Sequence, residues 1–255
     1  MFASYSSFKN GSLLLLLLLR ASAGSAQESK SRFDFNYSIG TAIPTGKFSD
    51  EDLSLFKNSR SGLAKTGSAV QLEVNYKLTK QYGISVLAGW QKNPQNARSL
   101  RDSLLRSFPG YDQYVVSMRP WQIWKLMAGG FVSIPLREFH FTVEPILYIG
   151  FMKTTIPGYE YGAYKLPNGS AGPVAVGGTT YGPPLPWSFC YQVGSKLNWQ
   201  YTSRLFFTIQ ASYFHASPAT HYVLYTSIPP INSTTYETHY PITTINLLAG
   251  IGCHF

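Results

Sequence analysis

Charge is scarce in this chain of 255 residues: Asp, Glu, Lys and Arg together make 13% of it, about half the usual share for a soluble domain. Cysteine is nearly absent, with only Cys190 and Cys253. Long apolar runs are missing as well. The seven leucines Leu13–Leu19 rise about 10 Å as a helix, against the ~30 Å of a hydrocarbon core. These shortages exclude a disulfide-stapled scaffold and a membrane-spanning helix. In place of charge stand 18 Tyr and 16 Phe, with 22 Gly and 16 Pro to make turns. That balance favours β structure, either one all-β domain or two smaller mixed ones.

The first residues have the layout of a secretory signal. Lys9 precedes the leucines, and the small residues Ala21, Ala23 and Ala26 follow them, as export cleavage requires. Residues 1–26 are therefore expected to be removed, after Ala26 or Ala23, leaving 27–255 as a single domain. No cysteine lies near the cut to carry a lipid anchor. Without Lys9 and Arg20 the chain holds 19 basic residues against 12 acidic, a net charge of +7. In an exported protein lacking a basic run, that surplus suits anionic lipid headgroups and lipopolysaccharide phosphates rather than nucleic acid.

Past the signal, apolar and polar residues alternate with period two in eight runs. FDFNYSIGTAI, AVQLEVNYKL, YGISVLAGW, WQIWKLMAGGFVSI, FHFTVEPILYIGF, FCYQVGSKLNW, LFFTIQASY and TINLLAGIGCHF read as strands. In the fourth run both faces are apolar; Trp124, Leu126, Ala128, Val132 and Ile134 are assigned outward, Lys125 and Ser133 inward. The connections alternate strictly between tight turns, near Lys80, Leu136–Arg137 and Thr202–Ser203, and long loops, roughly 44–66, 93–118, 154–187 and 215–240. All short turns then fall at one end of an up-and-down sheet. Bulky aliphatic and aromatic residues fill one face, while the other mixes Gly, Ala, Ser and Thr with Glu, Lys, His and Gln. Water-facing strands carry more charge than this, and glycine there weakens a strand without filling space. Inside a narrow barrel small residues fit. The expected fold is an all-β, eight-stranded antiparallel up-and-down transmembrane β-barrel with an N-terminal signal peptide; ten strands is the alternative count. Trp90, Trp124, Tyr148, Trp187, Tyr191, Trp199, Tyr201, Tyr213 and Phe255 near run ends read as interfacial girdles. Cys190 facing inward and Cys253 outward cannot be bridged.

Three features together resemble the small outer-membrane β-barrel family of opacity- and OmpA-type porin-like proteins, notably its Bacteroidota members. They are YSIGTAIPTGKFSD (37–50) with its Pro44, Gly46, Phe48 turn, the short-turn and long-loop layout, and the terminal strand ending on Phe255. The resemblance implies a Gram-negative outer-membrane location, with loops outside and termini in the periplasm. It also implies that Phe255 is read by the barrel-assembly machinery. It implies a fold more than an activity.

Glu73, Lys77, Lys125, His140, Glu144 and Lys196, with Gln210, form the inward polar set, expected to plug the lumen by ion pairing. Lys125 and Glu144 lie on adjacent strands and should sit within about two residue pairs. FHASPATHY places His215 and Ser217 on one face, with His221, Glu237 and His239 in the same loop region. His215, Ser217 and Glu237 would suit acyl transfer, at a spacing that resembles outer-membrane lipid A deacylases. No ligand spacing supports a metal, and no cofactor is expected. Leu100, Leu104, Leu105 and Phe108 in NPQNARSLRDSLLRSFPG (93–110) have helical spacing, with Arg98, Arg101 and Arg106 around them. The leading function is a structural or surface-interaction role for a plugged, monomeric barrel, through a ligand at the loops. The alternatives are a narrow conduit for small or apolar solutes, and lipid A acyl hydrolysis.

Overall fold

The computed structural model describes residues 32–51, 62–107, 111–136, 140–155, 157, 159–164, 175–179, 185–225 and 233–255. The segment 1–26, expected to be a signal, lies outside the described residues, as do Phe108, Arg137 and Phe139.

Alternation lets one face of each strand turn to a filled interior while the other stays open, and the sheet closes on itself accordingly. Its strands are β1 (Phe33–Pro44), β2 (Gly67–Lys77), β3 (Tyr82–Asn93), β5 (Trp121–Val132), β6 (Ile134–Leu136), β7 (Phe141–Thr154), β10 (Ser188–Gln200), β11 (Leu205–Ala216) and β14 (Ile242–His254). They run in the order β10-β11-β14-β1-β2-β3-β5-β7-β6, and β10 pairs with β7 to close the ring. Because β6 continues the line of β5 along β7, the wall counts eight strands, all antiparallel. The first and last strands meet in register from Asp34↔His254 to Pro44↔Thr244. The amide of Phe255 donates to the Phe33 carbonyl at 2.9 Å, so the first and last barrel strands are stitched together at the turn end of the barrel.

The outward faces match the period-two reading. Ile209 is 64% exposed, Phe189 59% and Trp124 58%. The inward face is more apolar than the sequence reading allowed. Phe48, Trp121, Ile123, Met127, Met152, Phe214 and Ile242 form a buried layer toward the loop end. Tyr148 joins this interior with no exposure. Its place near a run end suggested a girdle, but its even position shares the inward parity of Glu144, and parity decides which face a strand residue occupies. Cys190 and Cys253 are both free thiols.

The long connections build structure of their own. They carry a 3-10 turn (Gly46–Phe48), helix α1 (Ala97–Ser107), β4 (Gln113–Met118), β8 (Tyr159–Tyr164), β9 (Ala175–Thr179), β12 (Ala219–Tyr225) and β13 (Ser233–His239). The helix falls inside the stretch expected from its leucine spacing. The loop strands were not anticipated: β8 lies between β4 and β9 in a three-stranded sheet, and β12 and β13 form a hairpin.

Candidate functional site

Two regions concentrate chemistry: the polar half of the lumen and the platform built by the loops.

In the lumen, inward positions on four strands converge on one ion cluster. Lys196 of β10, 1% exposed, meets Glu73 of β2 at 2.5 Å and Glu144 of β7 at 3.4 Å. The register of β7 against β10 sets Glu144 opposite Lys196, while Glu73 reaches across the barrel. Glu73 also accepts from the Tyr148 hydroxyl at 2.7 Å and from Ser85 Oγ at 3.1 Å. Ser133 Oγ donates to Glu144 at 2.8 Å, and the Lys196 ammonium lies 5.4 Å from the Phe131 ring centroid. Both carboxylates are thus paired and hydrogen-bonded, which a dry interior demands. The cluster bridges the lumen from β2 to β10.

Lys125 does not join it. The β5–β7 register pairs Lys125 with Met152, about eight residues along β7 from Glu144. The β5–β7 and β6–β7 pairings, from Ile123↔Thr154 to Leu136↔Phe141, are displaced by four positions from those of a hairpin centred on 136–137, because each residue of turn shift moves the partner by two. Lys125 instead bonds Gln192 Oε1 at 2.7 Å. His140 is also outside the cluster, contrary to the inward assignment. It sits exposed in the turn before β7 with φ of 57°, where the chain has not yet taken up strand alternation. Lys77 lies at the turn-end mouth and pairs with Asp34 at 2.9 Å. Asp34 also takes His254 Nδ1 at 2.5 Å, and His254 Nε2 stands 2.9 Å from Gln200 Oε1. Asp34, Tyr148, Gln192 and His254 were missed as site residues, although inward parity marks all four. Below the cluster this mouth opens into a vestibule of 560 Å³, bordered by Arg32, Asp34, Lys77, Glu144, Lys196 and His254.

The turn quoted for the family resemblance closes the opposite end. Pro44 terminates β1, Gly46 takes a left-handed φ of 58°, and the chain folds back so that Phe48 drops into the barrel top. There Phe48 is 1% exposed and meets Trp121 edge-on at 5.5 Å.

Above it, the loops share a second core: Leu63, Leu100, Leu104, Tyr114 and Ala163. The Tyr111, Tyr114 and Tyr161 rings pack around it at 5.7 and 6.0 Å. Asn96 Nδ2 and Ser99 Oγ, at the start of α1, each donate to the Glu51 carboxylate at 2.6 Å. Those bonds hold the Glu51 carboxyl below the usual carboxylate range. A carboxylate at a helix N-terminus also opposes the helix dipole. The loops are thus tied together by a packed core and by side-chain hydrogen bonds of their own.

Of the acyl-transfer candidates, the side chains of His215 and Ser217 are among the described residues. His215 Nδ1 is bonded to Thr243 Oγ1 at 2.9 Å, and its ring packs between Tyr191 and Tyr213 at 5.4 and 6.5 Å. Ser217 and His239 are exposed. The β12–β13 register opposes His221 to Glu237, whose side chains lie outside the described residues.

The wall is a closed ring of eight antiparallel strands with an ion cluster inside it. The chain is similar to solved outer-membrane barrels. Neisserial surface protein A is 12% identical, covering 89% of this chain and 100% of that one, with a TM-score of 0.45. The attachment invasion locus protein Ail of Yersinia pestis is 13% identical over 87% and 98%, with a TM-score of 0.40. The outer membrane protein OprG from Pseudomonas aeruginosa is 10% identical over 88% and 97%, also at 0.40. No family model matches the chain, and no curated protein matches it either.

Proposed function

We propose that this protein is an integral outer-membrane β-barrel with a plugged lumen, acting through the platform that its long loops present outside the cell. Lipid placement is supported by the inverted polarity. Aliphatic and aromatic side chains stand exposed all round the wall, while Glu73, Glu144 and Lys196 are buried. In water such a surface would far exceed the few hundred Å² that monomers tolerate. In lipid it is the matching surface, and closure leaves no unpaired edge. Barrel strands of 11–14 residues tilted by about 45° span roughly 25–30 Å, the height of an outer-membrane apolar band. In this placement the termini and short turns are periplasmic and the loops extracellular. Phospholipid and lipopolysaccharide surround the monomer, and the barrel-assembly machinery reads Phe255.

The observation that carries the interaction role is the double closure of the lumen: the Lys196 ion cluster below and the Phe48–Trp121 layer above. The conduit reading has one observation in its favour, the open vestibule at the turn end. Planar-bilayer recording of the folded protein separates the two. The plugged barrel should give no sustained single-channel current, and steady conductance that scales with salt would replace it with the conduit. Membrane placement is tested by heat-modifiable gel migration and by protease shaving of the loops in intact cells; a soluble periplasmic species would overturn it.

A further inference from the structure

We propose that the middle of the lumen binds one small monovalent anion, of halide size, between Lys125 Nζ and Gln192 Nε2. Lys125 is 4% exposed. Its contacts are Gln192 Oε1 at 2.7 Å and the Phe214 ring at 4.6 Å. Among the described residues no carboxylate pairs with it: the buried Glu73 and Glu144 both serve Lys196. A buried ammonium that has spent one N–H on a neutral amide still has two to place, and it brings a charge that nothing beside it offsets.

Gln192 supplies the second donor. Its Oε1 receives both Lys125 and Gln71 Nε2, the latter at 3.4 Å. Gln71 is itself fixed by Gln210 Nε2, which donates to Gln71 Oε1 at 3.2 Å. Turning the Gln192 amide over would point its NH₂ at two donors, so the orientation is determined by its neighbours. Gln192 Nε2 is then left fully buried with no acceptor among the described residues. Lys125 is thus bonded to the same amide that carries the unpaired NH₂, so two donor groups, one of them cationic, lie beside each other, and an acceptor of charge −1 would satisfy both together.

The size follows from the walls. Lys125 lies flat over Gly89, where an added Cβ would stand 2.6 Å from Lys125 Cε. Phe214, Met152 and Cys190 are buried around this level, and none of them offers a strong donor to a further oxygen. An oxyanion would bring more acceptor atoms than two donor groups can serve, whereas a halide is satisfied by them.

The test uses the full folded barrel. In crystals grown with sodium bromide, the wild-type protein should show an anomalous peak in contact with both nitrogens. Gln192→Glu keeps the ammonium and gives it a covalent counter-charge, so the peak should vanish. Lys125→Met should lose it as well. In solution, the wild-type heat-modifiability midpoint should be higher in sodium chloride than in sodium gluconate of equal ionic strength, and Gln192→Glu should show equal midpoints. The proposal is overturned by water alone at this position in wild type, by a bromide peak that persists in Gln192→Glu, or by wild-type midpoints that ignore the halide.

Discussion

Lys196 stands between two carboxylates, so its loss would leave Glu73 and Glu144 facing each other in a low-dielectric interior. Breaking a buried pair in this way costs about 3–5 kcal/mol. Lys196→Met should lower the urea midpoint of the folded barrel accordingly, and adding Glu73→Gln should restore part of the loss. A single variant as stable as wild type would show the cluster to be energetically idle. Glu51 is a gentler case, because it is exposed. Its lowered carboxyl pKa means that its clamp on α1 is complete above the ordinary Glu range of about 4.3. The clamp is lost as pH falls through the lower folded value. Amide exchange at the start of α1 should quicken on that acidification in wild type and show no such step in Glu51→Gln. At this scale much was legible. Two-residue parity alone places Glu73, Glu144 and Lys196 inside, whereas Tyr148 was misread because run-end position was allowed to outrank parity.

Elements were legible where one rule governs them and obscure where two compete. The eight wall strands follow from alternation, and α1 from its leucine spacing. The Lys125–Glu144 relation fails because register depends on where a turn is centred, and a polar turn sequence carries no marker of that to within two residues. The fourth run was ambiguous for a physical reason: Ile123 and Met127 pack the upper lumen and Phe131 lies beside the Lys196 cluster, while Trp124 and Leu126 face outward, so neither face is polar. The loop strand β4 escaped notice because its partner β8 lies in a different loop, while β8 and β9 pair within one loop rich in Tyr, Gly and Pro that carries no strong alternation. Their packing still makes a clear prediction. Leu104 is 4% exposed in the loop core, and Leu104→Ala should cost about 2–5 kcal/mol. That loss should fall on the platform alone. Limited proteolysis should cut the loops faster while the barrel keeps its heat-modifiable migration; unfolding of the whole barrel at the same rate would contradict a separate loop core.

For the whole molecule the decisive act is closure of β1 on β14. Phe255 lies at that seam, 46% exposed and hydrogen-bonded to Phe33. Phe255→Asp places a charge at the edge of the apolar band and alters the terminal aromatic. It should reduce the membrane-inserted, heat-modifiable fraction more than any single loop substitution, and ordinary insertion of this variant would refute the assembly role. The ion cluster adds a constraint of timing. Glu73 and Lys196 are 123 residues apart, so a chain released as far as β7 holds both carboxylates and none of the ammonium. A half-built wall would carry both carboxylates without Lys196, the ammonium that pairs them, with two open edges beside them. Partial insertion is therefore disfavoured at every stage before β10 arrives, and the barrel enters the membrane as a single late event rather than hairpin by hairpin.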